Sequence, residues 1–440
     1  MARIAVCGLG YVGLVTAACF AAAGHDVTAY DSDLTTVHRL RRRELPFFEP
    51  HLAEIVASAI AAGCLRFLEH PHESLADREA VFIAVGTPVD PIGAADLTFV
   101  RQAAHDIARN ARGELIVVNK STVPVETADL VARIIESDAN PLLRASVASN
   151  PEFLREGSAV HDFLHPQRIV IGSEDERAVT FLRGLYEDFA APVLVVSTRT
   201  AELIKYASNA FLALKISFAN ELANFCDAAG VAVDEVMRGV ALDARIGDAY
   251  LRPGLGFGGS CLPKDVRALA EAARTRGMAP ALLDAAANVN QRQVSIVLRR
   301  IAALVGELDG ARLAVLGLAF KPGTDDVRES PAIALANALC ARGAHLRCHD
   351  PVAVAKARGR LDARAQLCTE VWEALDGADC AVIATEWPEY CVLDFARMRA
   401  VLGRPLLFDG RNALDPATVR AAGLEYCGVG RTLLRHAVAT

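Results

Sequence analysis

The hydrophobic pattern of the chain changes twice along its length. Up to Ser197, short runs rich in β-branched residues recur between Gly, Pro, Asn or Ser: RIAVCGL, DVTAYD, AVFIAVGTP, ELIVVNKSTVP, ASVASNPEF, RIVIGS and PVLVVS. They are apolar almost throughout rather than alternating, as parallel strands buried on both faces are. From Thr200 to Ala229 the period becomes helical, with no proline, a threonine to cap the start and Gly230 just past the end. Near Leu298 a third region begins. Its ARLAVLGLAFKPGTDDVRESPAIALANALCARGAHLRCHDP reads as strand, turn, helix and strand ending in Asp350, with CAVIATEW and LLFDGRN as later strands.

The first run carries a specific chemistry. Gly8, Gly10 and Gly13 stand in the spacing G-x-G-x-x-G between a strand and a helix, and DVTAYD brings Asp31 to the end of the next strand. Gly8 allows the tight turn, Gly10 lets backbone approach a pyrophosphate, and Gly13 lets the helix pack close to the sheet. The helix N-terminus then presents free N–H groups to the phosphates. The carboxylate of Asp31 suits a ribose diol, which favours NAD over NADP. An uncharged stretch from Ile4 to Gly24 also has the outline of a targeting segment, but such segments need neither the glycine spacing nor the acidic endpoint. The pattern predicts an α/β chain of two Rossmann-like, doubly wound parallel-sheet domains joined by a long central helix. The boundaries follow as 1–198 for the NAD domain, 199–298 for the central helical region and 299–440 for the second Rossmann-like domain.

Three predicted strands end in Gly86-Thr87-Pro88, Ser121-Thr122 and Asn150-Pro151-Glu152, and ligands of open α/β sheets bind at the carboxyl ends of strands. Lys205 and Asn209 are four apart and share a helix face. The turn GLAFKPGTDD lacks the second and third glycines, so a phosphate-bearing ligand other than a dinucleotide is expected there, with Lys321 and Arg328 supplying charge.

Composition narrows the class. The 440 residues are 52% hydrophobic and 22% charged, enough apolar material for two or three domains. A net charge of −7 and a pI near 5.9 give no electrostatic case for nucleic acid or an anionic membrane. The 11 cysteines are odd in number and contain no C-x-x-C pair, so no disulfide framework and no metal site is predicted and a reducing cytoplasm fits best.

Cys7, Cys19, Cys226 and Cys340 lie in apolar contexts that suit small buried side chains. Cys261 differs, because GFGGSCLPKD surrounds it with glycines at 254, 256, 258 and 259, a flexible close-approach loop, and then offers Pro263, Lys264 and Asp265. A thiol just before a helix and near a lysine has its pKa lowered from about 8.5, which makes a nucleophile. Asp265 adds a carboxylate for proton handling. With NAD, a nucleophilic cysteine serves oxidation of an aldehyde to an acid, through a tetrahedral adduct that gives up hydride and a thioester that water cleaves.

The segments GLGYVGL, VGTP, NKSTVPV, NPEFLREGSAV, ELIKYASNAFLALKISFANE, RPGLGFGGSCLPKD and GLAFKPGTDDVRESPA stand in the order seen in the UDP-glucose/GDP-mannose dehydrogenase family, and the chain resembles that family over nearly its whole length. The resemblance implies a four-electron oxidation of UDP-glucose to UDP-glucuronate with two NAD, a central dimerisation region, and a homodimer or higher homo-oligomer. It implies Cys261 as nucleophile, Lys205 and Asn209 holding the reacting oxygen, Asp265 assisting proton transfer, and Glu152 and Thr122 acting through water. On the cofactor side it implies Gly8, Gly10, Tyr11, Val12, Gly13, Asp31, Thr87, Pro88, Ser121, Thr122, Glu156, Cys261, Lys264 and Arg328. On the substrate side it implies Glu152, Phe153, Leu154, Arg155, Glu156, Lys205, Asn209, Arg252, Leu255, Gly256, Phe257, Gly258, Phe320, Lys321 and Arg411, with Arg245 reaching across a dimer interface.

Two alternatives stay open: GDP-mannose as the substrate, since GGSCLPKDVRAL is shared by enzymes acting on it, and an NAD-responsive binding protein without activity. DARIGDAYLRPGLGFGG and FDGRN are more similar to the UDP-glucose enzymes. The chain departs from the family pattern at Thr36, where many members carry a basic residue, and at Glu126, where STVPVET replaces STVPVGT and leaves the local loop geometry open.

Overall fold

The computed structural model describes residues 1–75, 77–138 and 140–431. The chain divides into two compact units, one of Met1–Ser208 with Glu271–Arg276 and one of Asn209–Ala270 with the residues from Gly277 onward.

The first unit holds an eight-stranded sheet of β1 (Arg3–Cys7), β2 (Asp26–Tyr30), β3 (Leu65–Leu68), β4 (Ala80–Ile83), β5 (Gly113–Asn119), β6 (Leu143–Ser149), β7 (Ile169–Gly172) and β8 (Val193–Val196). Their order is β3-β2-β1-β4-β5-β6-β7-β8, so the direction of winding reverses between β1 and β4. Alternate residues of the central strands face opposite layers. Ile4 and Val6 pack in one apolar cluster with the helix Tyr11–Ala22, and Ala5 and Cys7 pack in another with the helix Thr98–Asn110. Both faces are covered, which is why these strands are apolar throughout.

Two details differ from the pattern-based expectation. β7 meets β6 antiparallel, through Ser149 and Gly172, and β8 follows β7 in parallel. The chain leaves β6, forms the short helix Ala159–Leu164 and re-enters the sheet from the same end, which reverses its direction. β3 was not legible because LRFL is a four-residue edge strand with alternating exposure.

The second unit holds six parallel strands, β9 (Arg312–Leu316), β10 (His345–His349), β11 (Gln366–Cys368), β12 (Cys380–Ile383), β13 (Leu406–Asp409) and β14 (Glu425–Gly428). Their order is β11-β10-β9-β12-β13-β14, the doubly wound arrangement of a dinucleotide fold. The long helix spans Thr198–Ala229 without interruption, and Ser208, where the first unit gives way to the second, lies within it. A second long helix, Ala281–Val305, runs across the 298/299 boundary drawn from the sequence. Val297, Leu298, Ile301, Leu304 and Val305 keep the helical spacing of buried positions until Gly306, so the first strand of the second sheet starts only at Arg312. No helix among the described residues is long and apolar enough to cross a membrane.

Glu126 occupies the turn before the helix Thr127–Asp138 with φ +82°, a left-handed backbone that glycine adopts at little cost and other residues do not. Glu202 of the long helix fixes this turn, accepting from the N–H of Glu126 at 2.8 Å and of Ala128 at 2.7 Å. Burial pushes the Glu202 carboxyl up to about 7 despite those two donors. The Glu126 side chain is 52% exposed and pairs loosely with Arg199 at 3.5 Å and Arg276 at 3.7 Å. Exposed pairs contribute about 0–1 kcal/mol, and a non-glycine residue in the left-handed region costs about 1–2 kcal/mol. Glu126→Gly is therefore expected to raise the Tm by roughly 2 °C, read by thermal unfolding. A lowered Tm would show that the two arginine pairs outweigh the backbone strain.

Candidate active site

In the first unit the β1 turn is built around absent side chains. Gly8 has φ +98°, and a Cβ there would lie 2.7 Å from the carbonyl oxygen of Ala84. A Cβ on Gly13 would lie 1.9 Å from the carbonyl oxygen of Gly8, while a Cβ on Gly10 would meet nothing within 4 Å. The space in front of Gly10 therefore stays open beside the start of the helix Tyr11–Ala22, whose N-terminal N–H groups have no side-chain cap. Asp31 braces the turn, accepting from the Leu9 N–H at 2.6 Å and the Asp33 N–H at 2.8 Å. A carboxylate has about four acceptor positions, so it keeps capacity for a ribose diol. The open cradle, the uncapped helix and this carboxylate fit a dinucleotide. Thr36 carries no charge and donates to Asp33 at 2.7 Å.

Around this turn the other expected cofactor residues do structural work. The Thr87 hydroxyl donates to the Thr122 carbonyl at 2.8 Å, and Ser121 donates to the Val85 carbonyl at 2.7 Å, which ties the ends of β4 and β5 together. Val12 is half-buried and Pro88 is exposed. Tyr11 reaches Glu49, a residue the sequence reading did not single out. Glu49 is 4% exposed and accepts from the N–H groups of Gly157 and Ala159, both at 2.6 Å, as well as from the Tyr11 hydroxyl. Burial and the neighbouring carboxylate push the Tyr11 hydroxyl far up, so it stays a donor. This bridge sets the loop that carries Glu156, itself buried.

At the end of β6 the structure buries three charged side chains. Lys205 and Glu152 form an ion pair at 2.8 Å, at 3% and 5% exposure, and the other Glu152 oxygen accepts the Leu154 N–H at 2.5 Å. Removing one partner of such a pair costs about 3–5 kcal/mol because the other charge is left buried. Lys120, a second residue passed over in the sequence, is 4% exposed at the end of β5 and donates to Asn150 and Tyr186. Its legible signal was a lysine closing the apolar run ELIVVNK. The Phe153 ring lies 3.8 Å from the Arg168 guanidinium and 5.5 Å from the Lys205 ammonium. Arg155 is exposed and bonded to Asp162 at 2.6 and 2.9 Å. Leu154 is half-buried.

In the second unit Cys261 directly precedes the helix Leu262–Arg274, with Pro263 in the first turn, and its carbonyl accepts the Asp265 N–H at 2.8 Å. Ser260 Oγ lies 3.5 Å from the thiol sulfur. Asp265 is fully buried between Lys264 Nζ and Asn209 Nδ2, each at 2.6 Å. The three polar residues and the thiol thus converge on one helix start.

Where the sequence suggested a flexible loop, the backbone of the glycine segment before them is hydrogen-bonded to three side-chain amides. Asn220 accepts the Gly254 N–H at 2.7 Å, Gln293 donates to the Gly254 carbonyl at 2.8 Å, and Asn290 bonds both the N–H and the carbonyl of Phe257. A Cβ on Gly258 would lie 2.2 Å from the Glu329 carbonyl, so the glycines buy close packing. Leu255 is fully buried in the core, which leaves only its backbone for a ligand.

Arg411 is largely buried and donates to the carbonyls of Ala384 at 2.9 Å, Gly256 at 3.1 Å and Phe320 at 3.0 Å, joining the glycine segment to the turn after β9. Lys321 Nζ lies 5.7 Å from the Phe320 ring centroid, and Arg328 is bonded to Asp326 at 2.6–3.0 Å. Arg252 is exposed. Arg245 has an 89% exposed side chain paired with Asp243. The turn after β9 repeats Gly8 as Gly317, with φ +99°, but has Ala319 where the first unit has Gly10, and no helix starts there. Asp350 accepts from the backbone N–H groups of Leu318, Ala319, Val352 and Ala353 and from the Trp387 ring N–H, so its oxygens are committed to the fold.

Three family models match the chain in sequence: the NAD binding domain of the UDP-glucose/GDP-mannose dehydrogenase family at residues 2–190, its central domain at 199–292 and its UDP binding domain at 314–416. A UDP-glucose 6-dehydrogenase of Pseudomonas aeruginosa is 45% identical over 450 aligned residues, which cover 100% of this chain and 99% of that protein. The UDP-glucose 6-dehydrogenase TuaD of Bacillus subtilis is 40% identical over 435 residues, 99% of this chain and 94% of that protein. Among solved structures, a UDP-glucose dehydrogenase of Pyrobaculum islandicum superimposes with a TM-score of 0.91 at 44% identity, covering 98% of each chain. A GDP-mannose dehydrogenase of Pseudomonas aeruginosa superimposes with a TM-score of 0.54 at 31% identity, covering 97% of this chain and 99% of that one. The chain belongs to the UDP-glucose/GDP-mannose dehydrogenase family of NAD-dependent oxidoreductases.

Proposed function

We propose that the chain oxidises the C6 hydroxymethyl group of UDP-glucose to a carboxylate, as a UDP-glucose 6-dehydrogenase. The observation that carries this reading is the 45% identity, over the whole chain, to an enzyme of that name. The higher identity and TM-score of the UDP-glucose dehydrogenase than of the GDP-mannose dehydrogenase favour uridine as the base.

Bound on the Gly8–Gly13 turn, NAD supplies a hydride acceptor for each of two oxidations. In the first, the Lys205 ammonium and the Asn209 amide hold the reacting oxygen, and its proton leaves through water toward Glu152 and Thr122. The alcohol loses a proton and a hydride and becomes an aldehyde. The Cys261 sulfur then adds to the aldehyde carbon, and the oxygen takes up a proton to give a thiohemiacetal. Loss of the second hydride and of the hydroxyl proton leaves a thioester on Cys261. Water attacks the thioester, the carboxylate departs, and the sulfur regains its proton with the help of Asp265, which Lys264 and Asn209 hold in place.

The second unit supports a homodimer. Phe211, Phe218 and Phe225 recur every seven residues on the long helix with exposures of 61%, 53% and 67%. That spacing puts them on one stripe, and exposed apolar stripes of this kind mark association surfaces. We infer that a second copy of the chain covers it. Light scattering on the purified protein is expected to give twice 46.8 kDa, and Phe218→Glu to give the monomer mass. A monomeric wild type at micromolar concentration would contradict the dimer.

Incubating the protein with NAD and either UDP-glucose or GDP-mannose, with NADH followed by absorbance, tests the substrate. UDP-glucose is expected to be oxidised with the higher kcat/KM; a preference for GDP-mannose, or no NADH from either sugar, would overturn the assignment. Cys261→Ala is expected to retain NAD binding, since the Gly8–Gly13 turn and Asp31 are untouched, and to lose steady production of the acid. Cys261→Ser is expected to accumulate an ester adduct visible by mass spectrometry, because an alkoxide leaves more slowly than a thiolate. Full acid production by Cys261→Ala would sink the covalent step.

A further inference from the structure

The chain has 46 basic residues, of which only six are lysines: Lys120, Lys205, Lys215, Lys264, Lys321 and Lys356. Arginine keeps its proton under almost all conditions, whereas a buried lysine can lose one near neutral pH. Of the two buried lysines, Lys120 and Lys205, Lys120 is the one that the proposed reaction leaves without a task. Its ammonium is buried and donates to the Asn150 carbonyl at 3.3 Å, the Asn150 side-chain oxygen at 3.0 Å and the Tyr186 hydroxyl at 3.4 Å. All three partners are neutral, and no carboxylate among the described residues lies within ion-pair distance of it. Burying a cation on neutral partners is costly, and a neutral donor could hold Asn150 as well.

The surroundings show what the charge acts on. Asn150 is clamped from three sides, since it also accepts from Tyr186 Oη at 2.6 Å and donates to the Val170 carbonyl at 2.8 Å. Asn150 and Pro151 lead directly to Glu152, which holds Lys205 at 2.8 Å. The titratable groups facing Lys120 are Tyr186 from the segment after the helix Glu176–Leu185, Glu152 from the turn after β6 and Lys205 from the long helix. Burial pushes the Lys120 ammonium down to about 8, the Glu152 carboxylate opposes this and the Lys205 ammonium adds to it. Electrostatic coupling is mutual, so the Lys120 charge acts in turn on the Lys205–Glu152 pair. Tyr186 is raised far above its ordinary range by burial and stays a neutral donor.

We propose that Lys120 is a positioning residue that acts through the Lys205–Glu152 pair: it fixes the turn that carries Glu152, and its buried charge sets how readily Lys205 releases its proton. The inference rests on the functional reading above only in taking that pair as part of the reaction.

The test has an arm that needs no substrate. With carbon-13 at lysine Cε, the protein gives six lysine signals, and Lys120→Met identifies that of Lys120. In the wild type, Lys120 and Lys205 are expected to titrate as a coupled pair. In Lys120→Met, Lys205 is expected to titrate at higher pH, and the alkaline arm of the kcat profile for UDP-glucose to move with it while KM changes little. Lys120→Arg, permanently charged, is expected to keep Lys205 at or below its wild-type midpoint. An unchanged Lys205 midpoint in Lys120→Met would overturn the proposal even if activity fell, because a purely structural role loses rate without moving the titration. Should Lys120→Met not fold, Lys120→Arg identifies the Lys120 signal, and a wild-type Lys120 that titrates in one step, independently of Lys205, would overturn the proposal. A wild type that makes no NADH from UDP-glucose while Lys205 still shifts would refute the functional reading and support the control of Lys205 by Lys120.

Discussion

Charge taken out of water is the constraint on which the polar groups of each unit depend. Glu152 and Lys205 neutralise each other at 2.8 Å, and Asp265 is enclosed by Lys264 and Asn209. Such groups remain buried only where partners and backbone donors are fixed in advance, so the turns that carry them must be rigid. The structure meets that demand with side-chain amides and carboxylates bonded to backbone. Glu49 holds the loop just after Glu156, Asn150 holds the approach to Glu152, and Asn220, Asn290 and Gln293 hold the glycine segment before Cys261. The same rigidity suits the proposed reaction, which would keep one carbon aligned through two oxidations and a hydrolysis.

The two sheets make opposite use of one topology. Both wind outward from a central strand followed by a glycine turn, and both place an aspartate at the end of the next strand. In the first unit the turn keeps open space at Gly10 and an aspartate with acceptor capacity to spare, which is what a dinucleotide needs. In the second, Ala319 fills the equivalent place and Asp350 spends its oxygens on five donors. The residues from Phe320 to Arg328 and Arg411 shape that end of the sheet instead, in the part of the chain matched by the UDP binding domain of the family.

Much of this was legible in the sequence. Gly8, Gly10, Gly13 and Asp31 declare their turn because each position has a steric reason for its residue, and the doubly wound sheets follow from apolar runs between turn residues. What stayed hidden depends on long-range partners. Glu49 stands in FFEP, with no local cue that it will gather N–H groups from residues more than a hundred positions away. Lys120 reads as the polar end of a strand until Tyr186 and Asn150 close over it. The glycines before Cys261 read as flexibility, since the amides that lock them come from Asn220, Asn290 and Gln293 on other helices. The helix Ala281–Val305 outran its expected end because the third region was taken to begin near Leu298, although the helical spacing of apolar residues runs on to Val305.

In the proposed reaction one sugar carbon passes through two hydride transfers, the second from a cysteine adduct. Counting NADH formed against UDP-glucose consumed, with the product identified by mass spectrometry, distinguishes this from a single oxidation. About two NADH are expected for each UDP-glucose, with UDP-glucuronate as the product. About one NADH for each sugar, with the aldehyde released, would contradict it, because the thiol would then have no second oxidation to serve.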